Sequence, residues 1–157
     1  TAPAVLLLGT GESSDAWHMS APHPQGRGAS DAMRAALAAA RLTAADIDYI
    51  NFHGTGTASN DAAEARAVAT VLGTLPGSST KGATGHTLGA AGALEAVICA
   101  LALRHGLMPG GVNTGSLDPE LHVSYVRESR PARLDAVMSN SFGFGGSNCS
   151  LILGKAR

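Results

Sequence analysis

Gly89-Ala90-Ala91-Gly92-Ala93-Leu94-Glu95-Ala96-Val97-Ile98-Cys99-Ala100-Leu101-Ala102-Leu103 is the stretch that decides the architecture. It has the length and composition of a helix that runs on to about Arg104, and it is apolar nearly all round. A helix at a domain surface needs a polar face, and this one offers only Glu95, so it is expected to be buried on all sides. One sheet with helices, built from 157 residues, struggles to enclose such a helix. The simplest remedy is a second layer from another domain or chain. Interrupted by Glu95, the run is expected to fall short of a membrane span. Glu95 itself needs a partner, because an unpaired buried charge is costly. Lys81, a bound cation or a backbone network would each serve.

Outward from this helix, apolar runs and turn residues alternate. Residues 3–12 open with Val5-Leu6-Leu7-Leu8, which reads as a buried strand, and residues 13–28 read as a loop. Ser30 or Asp31 is expected to cap a helix to about Arg41, with Met33, Ala36, Leu37 and Ala40 on one face. After a turn at Thr43, residues 48–52 read as a strand and residues 53–60 as a loop. A helix then runs to about Leu72, with Gly73 as its stop. Residues 77–80 make a short strand candidate and 81–88 a glycine-rich loop. Beyond the breakers Gly106, Pro109, Gly110 and Gly111, residues 121–126, 136–141 and 147–153 read as strands. This alternation predicts an α/β fold with a mixed, mostly parallel sheet and helices packed on it.

Composition narrows the function. The net charge of -1 gives no broad field for nucleic acid or an anionic membrane. A local basic patch for an acidic protein partner is compatible with it. Two cysteines are too few for a disulfide framework, so a reducing, cytoplasmic compartment is the default, and no apolar leader is visible. Cys99 in mid-helix and Cys149 in a strand read as small buried hydrophobes. The six histidines lack the paired helical spacing of zinc proteases. Leu6-Leu7-Leu8-Gly9-Thr10-Gly11 resembles the start of a dinucleotide fingerprint, but Ser14 stands where the third glycine belongs.

The 20 glycines cluster around three polar segments. Asn51-Phe52-His53-Gly54-Thr55-Gly56-Thr57 lies where a strand gives way to a loop, the edge at which open α/β sheets place ligands. A turn with an incidental histidine is the alternative. Ser79-Thr80-Lys81-Gly82-Ala83-Thr84-Gly85-His86 sets a fixed cation and an imidazole five residues apart before the apolar helix. It is either a pocket lining or a solvated loop. Ser139-Asn140-Ser141-Phe142-Gly143-Phe144-Gly145-Gly146-Ser147-Asn148 joins two strands. Its turn amides are placed to hold an oxyanion, or it is a hairpin with aromatic plugs.

Together with Ser14-Asp15-Ala16-Trp17-His18-Met19-Ser20-Ala21-Pro22, the three segments resemble, in order and spacing, the C-terminal half of the elongating β-ketoacyl-acyl carrier protein synthases of the thiolase fold. The resemblance covers nearly the whole chain, with residues 1–157 as one C-terminal domain. It implies that His53 and His86 are the catalytic pair, with Lys81 the active-site lysine and Asp61, Glu64 and Glu95 supporting carboxylates. Thr55 and Thr57 would contact a phosphopantetheine arm, with Ser20, Phe142 and Gly145 also binding substrate. Phe144 would be the gate, its N–H part of an oxyanion hole. Asn51, Glu95, Ser139 and Asn140 would hold a structural monovalent cation, and no other cofactor is required. The implied reaction is decarboxylative Claisen condensation of an acyl thioester with malonyl-acyl carrier protein, in fatty acid or polyketide synthesis.

The implied partners are the carrier protein, the N-terminal half of the synthase, and a second synthase subunit in a homodimer or heterodimer. There are departures from the pattern. Gly56 stands where many bacterial members have serine, though modular polyketide synthases share the glycine, and Ser59-Asn60-Asp61 replaces the usual Pro-x-Gly-Asp. The nucleophilic cysteine of the family belongs to the N-terminal half, and nothing here replaces it, so this chain alone is expected to be inactive in condensation. A non-catalytic chain-length-determining subunit and a carrier-protein-binding module are the competing functions. Retention of both histidines and Lys81 favours the enzyme.

Overall fold

The computed structural model describes residues 4–156. Its elements, in chain order, are β1 (Val5–Ser14), α1 (Arg27–Ala40), β2 (Tyr49–Asn51), α2 (Ala58–Val71), β3 (Pro76–Ser78), α3 (Lys81–Thr84) and α4 (Ala91–His105). There follow β4 (Leu107–Met108), β5 (Ser124–Tyr125), β6 (Arg130–Pro131), β7 (Ala136–Gly143) and β8 (Ser147–Lys155). The two-residue strands β4 and β6, which pair with each other, escape sequence reading because they carry no periodicity.

Six strands form one sheet in the order β1-β8-β7-β2-β3-β5. The sheet is mixed, as expected. β2 runs parallel to β7 and β3, and β3 runs parallel to β5. The long ladders, β7–β8 and β8–β1, are antiparallel.

Strand alternation sorts the core. Ile50 and Met138 face one side, where they pack with Met33 and Ala36 of α1 and Ala67 and Val68 of α2. Tyr49 and Val137 face the other, with Cys99, Ala102 and Leu103 of α4. The pleat therefore sends Asn51 and Ser139, which are register partners, to the α4 side. Asn140 is sent to the α1 side, with its Nδ2 3.6 Å from Met33 Sδ.

Three expectations change. Val5-Leu6-Leu7-Leu8 does begin a strand, but β1 lies at the sheet edge, and Leu6 and Leu7 are exposed. An apolar run does not reveal which strand has a neighbour. Pro3, where that strand was expected to start, lies outside the described residues. Gly9 and Gly11 belong to β1 and admit α1 close to the sheet: a Cβ on Gly11 would collide with the Ala32 carbonyl oxygen. That packing accounts for the glycines without a dinucleotide. The α1 helix begins earlier than expected, at Arg27 after a left-handed Gly26, which leaves Ser30 buried within it.

The apolar helix behaves in two ways. Its inner face, with Glu95, Cys99, Ala102 and Leu103, is buried. Its outer face is not: Val97 is 56% and Leu101 47% exposed, and Leu88 in the turn before it is 76% exposed. Burial on all sides is thus not achieved by this chain. With its preceding turn, Leu88–His105 is also long and apolar enough, by length and composition, to cross a membrane, contrary to the expectation from Glu95. Here that segment packs on the sheet through Cys99, Ala102 and Leu103, and its Glu95 is ion-paired to Lys81.

Candidate active site

His53 stands just beyond the C-terminal end of β2, at the loop that leads into α2. Its backbone is clamped from below. Glu64, in the second turn of α2, accepts His53 N–H at 2.9 Å through Oε1 and Gly54 N–H at 2.8 Å through Oε2. Asn140 Nδ2 donates to Glu64 Oε1 at 3.2 Å, and Ser150 Oγ holds Asn140 Oδ1 at 2.7 Å. Burial pushes the Glu64 carboxyl up to about 7, against the pull of the Gly54, His53 and Asn140 donors.

His53 is itself buried, with its ring 5.6 Å from that of Phe142. Lys81 Nζ lies 3.3 Å from His53 Nδ1 and also donates to Glu95 Oε1 from α4. Of the partners open to Glu95, the structure supplies the lysine. Burial pushes the Glu95 carboxyl up, and the Lys81 ammonium opposes this. Desolvation, with Lys81 and then His86 adding to it, lowers His53 to about 3, so the imidazole is neutral at physiological pH.

A neutral imidazole whose Nδ1 accepts from an ammonium carries its proton on Nε2. His86 is set the same way by a different donor, since Leu88 N–H lies 3.1 Å from its Nδ1. The two rings lie 5.3 Å apart and nearly perpendicular. With Nδ1 accepting in each ring, the ring N–H is on Nε2 in both; His86 lines a cavity, and His53 is buried and is not part of that lining.

The remaining expected residues divide into groups. Thr55 and Thr57 meet through their hydroxyls at 2.8 Å, beside the histidines. Asp61, in the first turn of α2, accepts from Asn60 Nδ2 at 3.1 Å and lines a cavity of about 630 Å³ with Thr55, Glu64, Lys81 and His86. Phe144 projects outward at 82% exposure. Its turn is tied to the segment that carries Ser20: Gly145 N–H donates to Met19 O, and Asp15 N–H to Gly146 O, each at 2.8 Å. That turn and Ser20 do not line the cavity.

Asn51 Oδ1, Glu95 Oε2 and Ser139 Oγ are buried acceptors without a hydrogen-bond partner. Three such oxygens on the α4 side of the sheet fit a cation with oxygen ligands. The side chain of Asn140 does not join them, because the pleat turns it to the other face, where Glu64 and Ser150 occupy it. Neither cysteine is an activated thiol. Burial raises Cys99 to about 12, and burial with the Glu12 charge raises Cys149.

Sequence reading missed Tyr125 and Asn113. Tyr125 OH lies 3.3 Å from Ser79 N and 3.2 Å from Thr114 Oγ1. Asn113 Nδ2 donates to Gly82 O at 2.8 Å. The contacts to Ser79 and Gly82 join segments 46 and 31 residues apart, and no local pattern announces them.

Such a sheet with its helices has a thiolase-like fold. The family model described as beta-ketoacyl synthase, C-terminal domain, matches residues 4–115, and the chain belongs to that family. It is 44% identical over 154 residues to 3-oxoacyl-[acyl-carrier-protein] synthase 2 of Coxiella burnetii, covering 95% of this chain and 37% of that protein. It is 47% identical to the mitochondrial 3-oxoacyl-[acyl-carrier-protein] synthase of Arabidopsis thaliana, covering 93% and 33%. A solved structure of the ketosynthase ApeO in complex with its chain length factor ApeC, from Xenorhabdus doucetiae, superposes with a TM-score of 0.92 at 54% identity. That match covers 97% of this chain and 39% of the other. The chain thus spans little more than a third of the length of the relatives it matches.

Proposed function

We propose that this chain supplies the decarboxylation half of a ketosynthase active site, which condenses an acyl thioester with malonyl-acyl carrier protein. The observation that carries the reading is the pair of imidazoles 5.3 Å apart, each with Nδ1 accepting from a donor, which leaves the ring N–H on Nε2. When the malonyl thioester loses carbon dioxide, the electrons of the broken C–C bond move onto the thioester oxygen as an enolate. Two preset N–H donors stabilise that charge. The enolate carbon then attacks the acyl thioester carbonyl, and the C–S bond breaks with the thiolate leaving.

The acyl-bearing nucleophile comes from outside the described residues, since Cys99 and Cys149 are both held as thiols. Burial, with Lys81 adding to it, keeps His53 neutral, and Lys81, ion-paired to Glu95, fixes its tautomer. Thr55 and Thr57 offer hydroxyls to a pantetheine arm, and the family resemblance adds Ser20, Phe142 and Gly145 as substrate contacts. Phe144 N–H serves the second oxyanion. Asn51, Glu95 and Ser139 would hold a monovalent cation, which supplies fixed positive charge to the buried Glu95 rather than reaction chemistry.

The carrier protein delivers the malonyl group, and the rest of the synthase covers the outer face of α4 at Val97 and Leu101. A scaffold that only sets chain length has no need of the Glu95–Lys81–His53 array, and this favours the catalytic reading. The test is product formation by the synthase that carries this chain, given acyl thioester and malonyl-carrier protein. The β-ketoacyl product is expected, and its loss in His53→Ala. Condensation that survives His53→Ala contradicts the reading.

A further inference from the structure

Lysine is a flexible four-carbon side chain, and its Nζ can hold one position only if its backbone is fixed. Lys81 opens the one-turn helix α3, and both of its flanks are pinned from a distant segment. On the C-terminal side, Gly82 O accepts Asn113 Nδ2 at 2.8 Å. The segment 111–115 lies so close there that a Cβ on Gly82 would collide with the Val112 carbonyl oxygen. Asn113 adopts φ +61°, a left-handed conformation that asparagine tolerates better than most residues.

On the N-terminal side, Tyr125 OH accepts Ser79 N–H at 3.3 Å and meets Thr114 Oγ1 at 3.2 Å. Ser79 Oγ in turn accepts Lys81 N–H at 3.3 Å and donates to Gly54 O at 2.8 Å, beside His53. Tyr125 is fixed by its stack on Phe52, with ring centroids 6.2 Å apart.

We propose that Asn113 and Tyr125 form a latch that positions Lys81 against His53. They are positioning residues: they act through the backbone on either side of the lysine and do not touch the reacting atoms. The latch lies wholly within this chain, whereas its kinetic consequence rests on the ketosynthase reading above.

The test uses the complete synthase with the double variant Asn113→Gly, Tyr125→Phe. Glycine retains the left-handed turn and phenylalanine the stack on Phe52, so folding is checked simply by the thermal midpoint. A crystal structure of the variant is expected to show Lys81 Nζ displaced beyond hydrogen-bond distance of His53 Nδ1. Malonyl-carrier protein decarboxylation is expected to lose about tenfold in kcat with KM within about twofold, the scale of one lost hydrogen bond.

Lys81 unmoved in the variant structure overturns the latch, as does an unchanged kcat or a loss carried by KM alone. An inactive wild-type synthase would overturn the ketosynthase reading instead, and the crystal structure alone would then decide the latch.

Discussion

Lys81 Nζ sits between His53 Nδ1, at 3.3 Å, and Glu95 Oε1, with the lysine and the glutamate both buried. The ammonium thereby neutralises a carboxylate that the core cannot otherwise tolerate, and the same charge adds to the burial that denies His53 a proton. Stability and tautomer are linked through one side chain.

Lys81→Met leaves Glu95 buried and unpaired, and the expected cost is about 3–5 kcal/mol. Adding Glu95→Leu removes the stranded charge, so the double variant should recover most of the lost stability by chemical denaturation. It should not recover decarboxylation, because His53 no longer has its Nδ1 donor. Double-variant stability no better than Lys81→Met would contradict the pairing.

The pH dependence has two opposing parts. His53 falls from 6.5 to about 3 on folding, so the unfolded chain binds the extra proton and stability declines as pH drops from 6.5 towards 3. Glu64 rises from 4.5 to about 7, so its contribution is complete below 4.5 and is lost as pH rises through 7. The stability difference between wild type and Glu64→Gln should therefore shrink as pH rises across that window, with a slope of up to about 1.4 kcal/mol per pH unit. A pH-independent difference would show that Glu64 titrates normally.

Much of this site was legible in sequence, for a physical reason. His53, Lys81, His86 and the turn at Phe144 sit at strand ends in glycine-rich loops, where short-range pattern and chemistry coincide. Glu64 was visible only through resemblance, since an acidic residue in an alanine-rich helix reads as solvated until its partners, the amides of His53 and Gly54, are seen. Tyr125 and Asn113 were invisible because their partners are remote in the chain. The side-chain direction of Asn140 depends on the pleat of β7, and the exposure of Leu6 and Leu7 on which strand ends the sheet. Neither follows from composition.

The orphaned oxygens of Asn51, Glu95 and Ser139 predict a cation effect. Potassium or sodium in place of tetramethylammonium, at equal ionic strength, should raise the thermal midpoint of the synthase. At 100 times its Kd, a bound ion adds about 2.7 kcal/mol. Asn51→Leu with Ser139→Ala should abolish the difference, and a midpoint indifferent to the cation in the wild type argues against the site.

Exposed Val97 and Leu101 predict self-association of the isolated chain. Sedimentation should show oligomers that Val97→Glu with Leu101→Lys disperses. A monodisperse wild-type monomer at high concentration would contradict an α4 face built to be covered.

The most direct measurement of the central claim is carbon dioxide release from malonyl-carrier protein by the folded synthase, compared with its His53→Ala and His86→Ala variants. If the two Nε2–H groups hold the enolate, each variant loses about 10²–10³-fold in rate, the usual loss for one oxyanion donor. Decarboxylation undiminished in both folded variants would contradict the account.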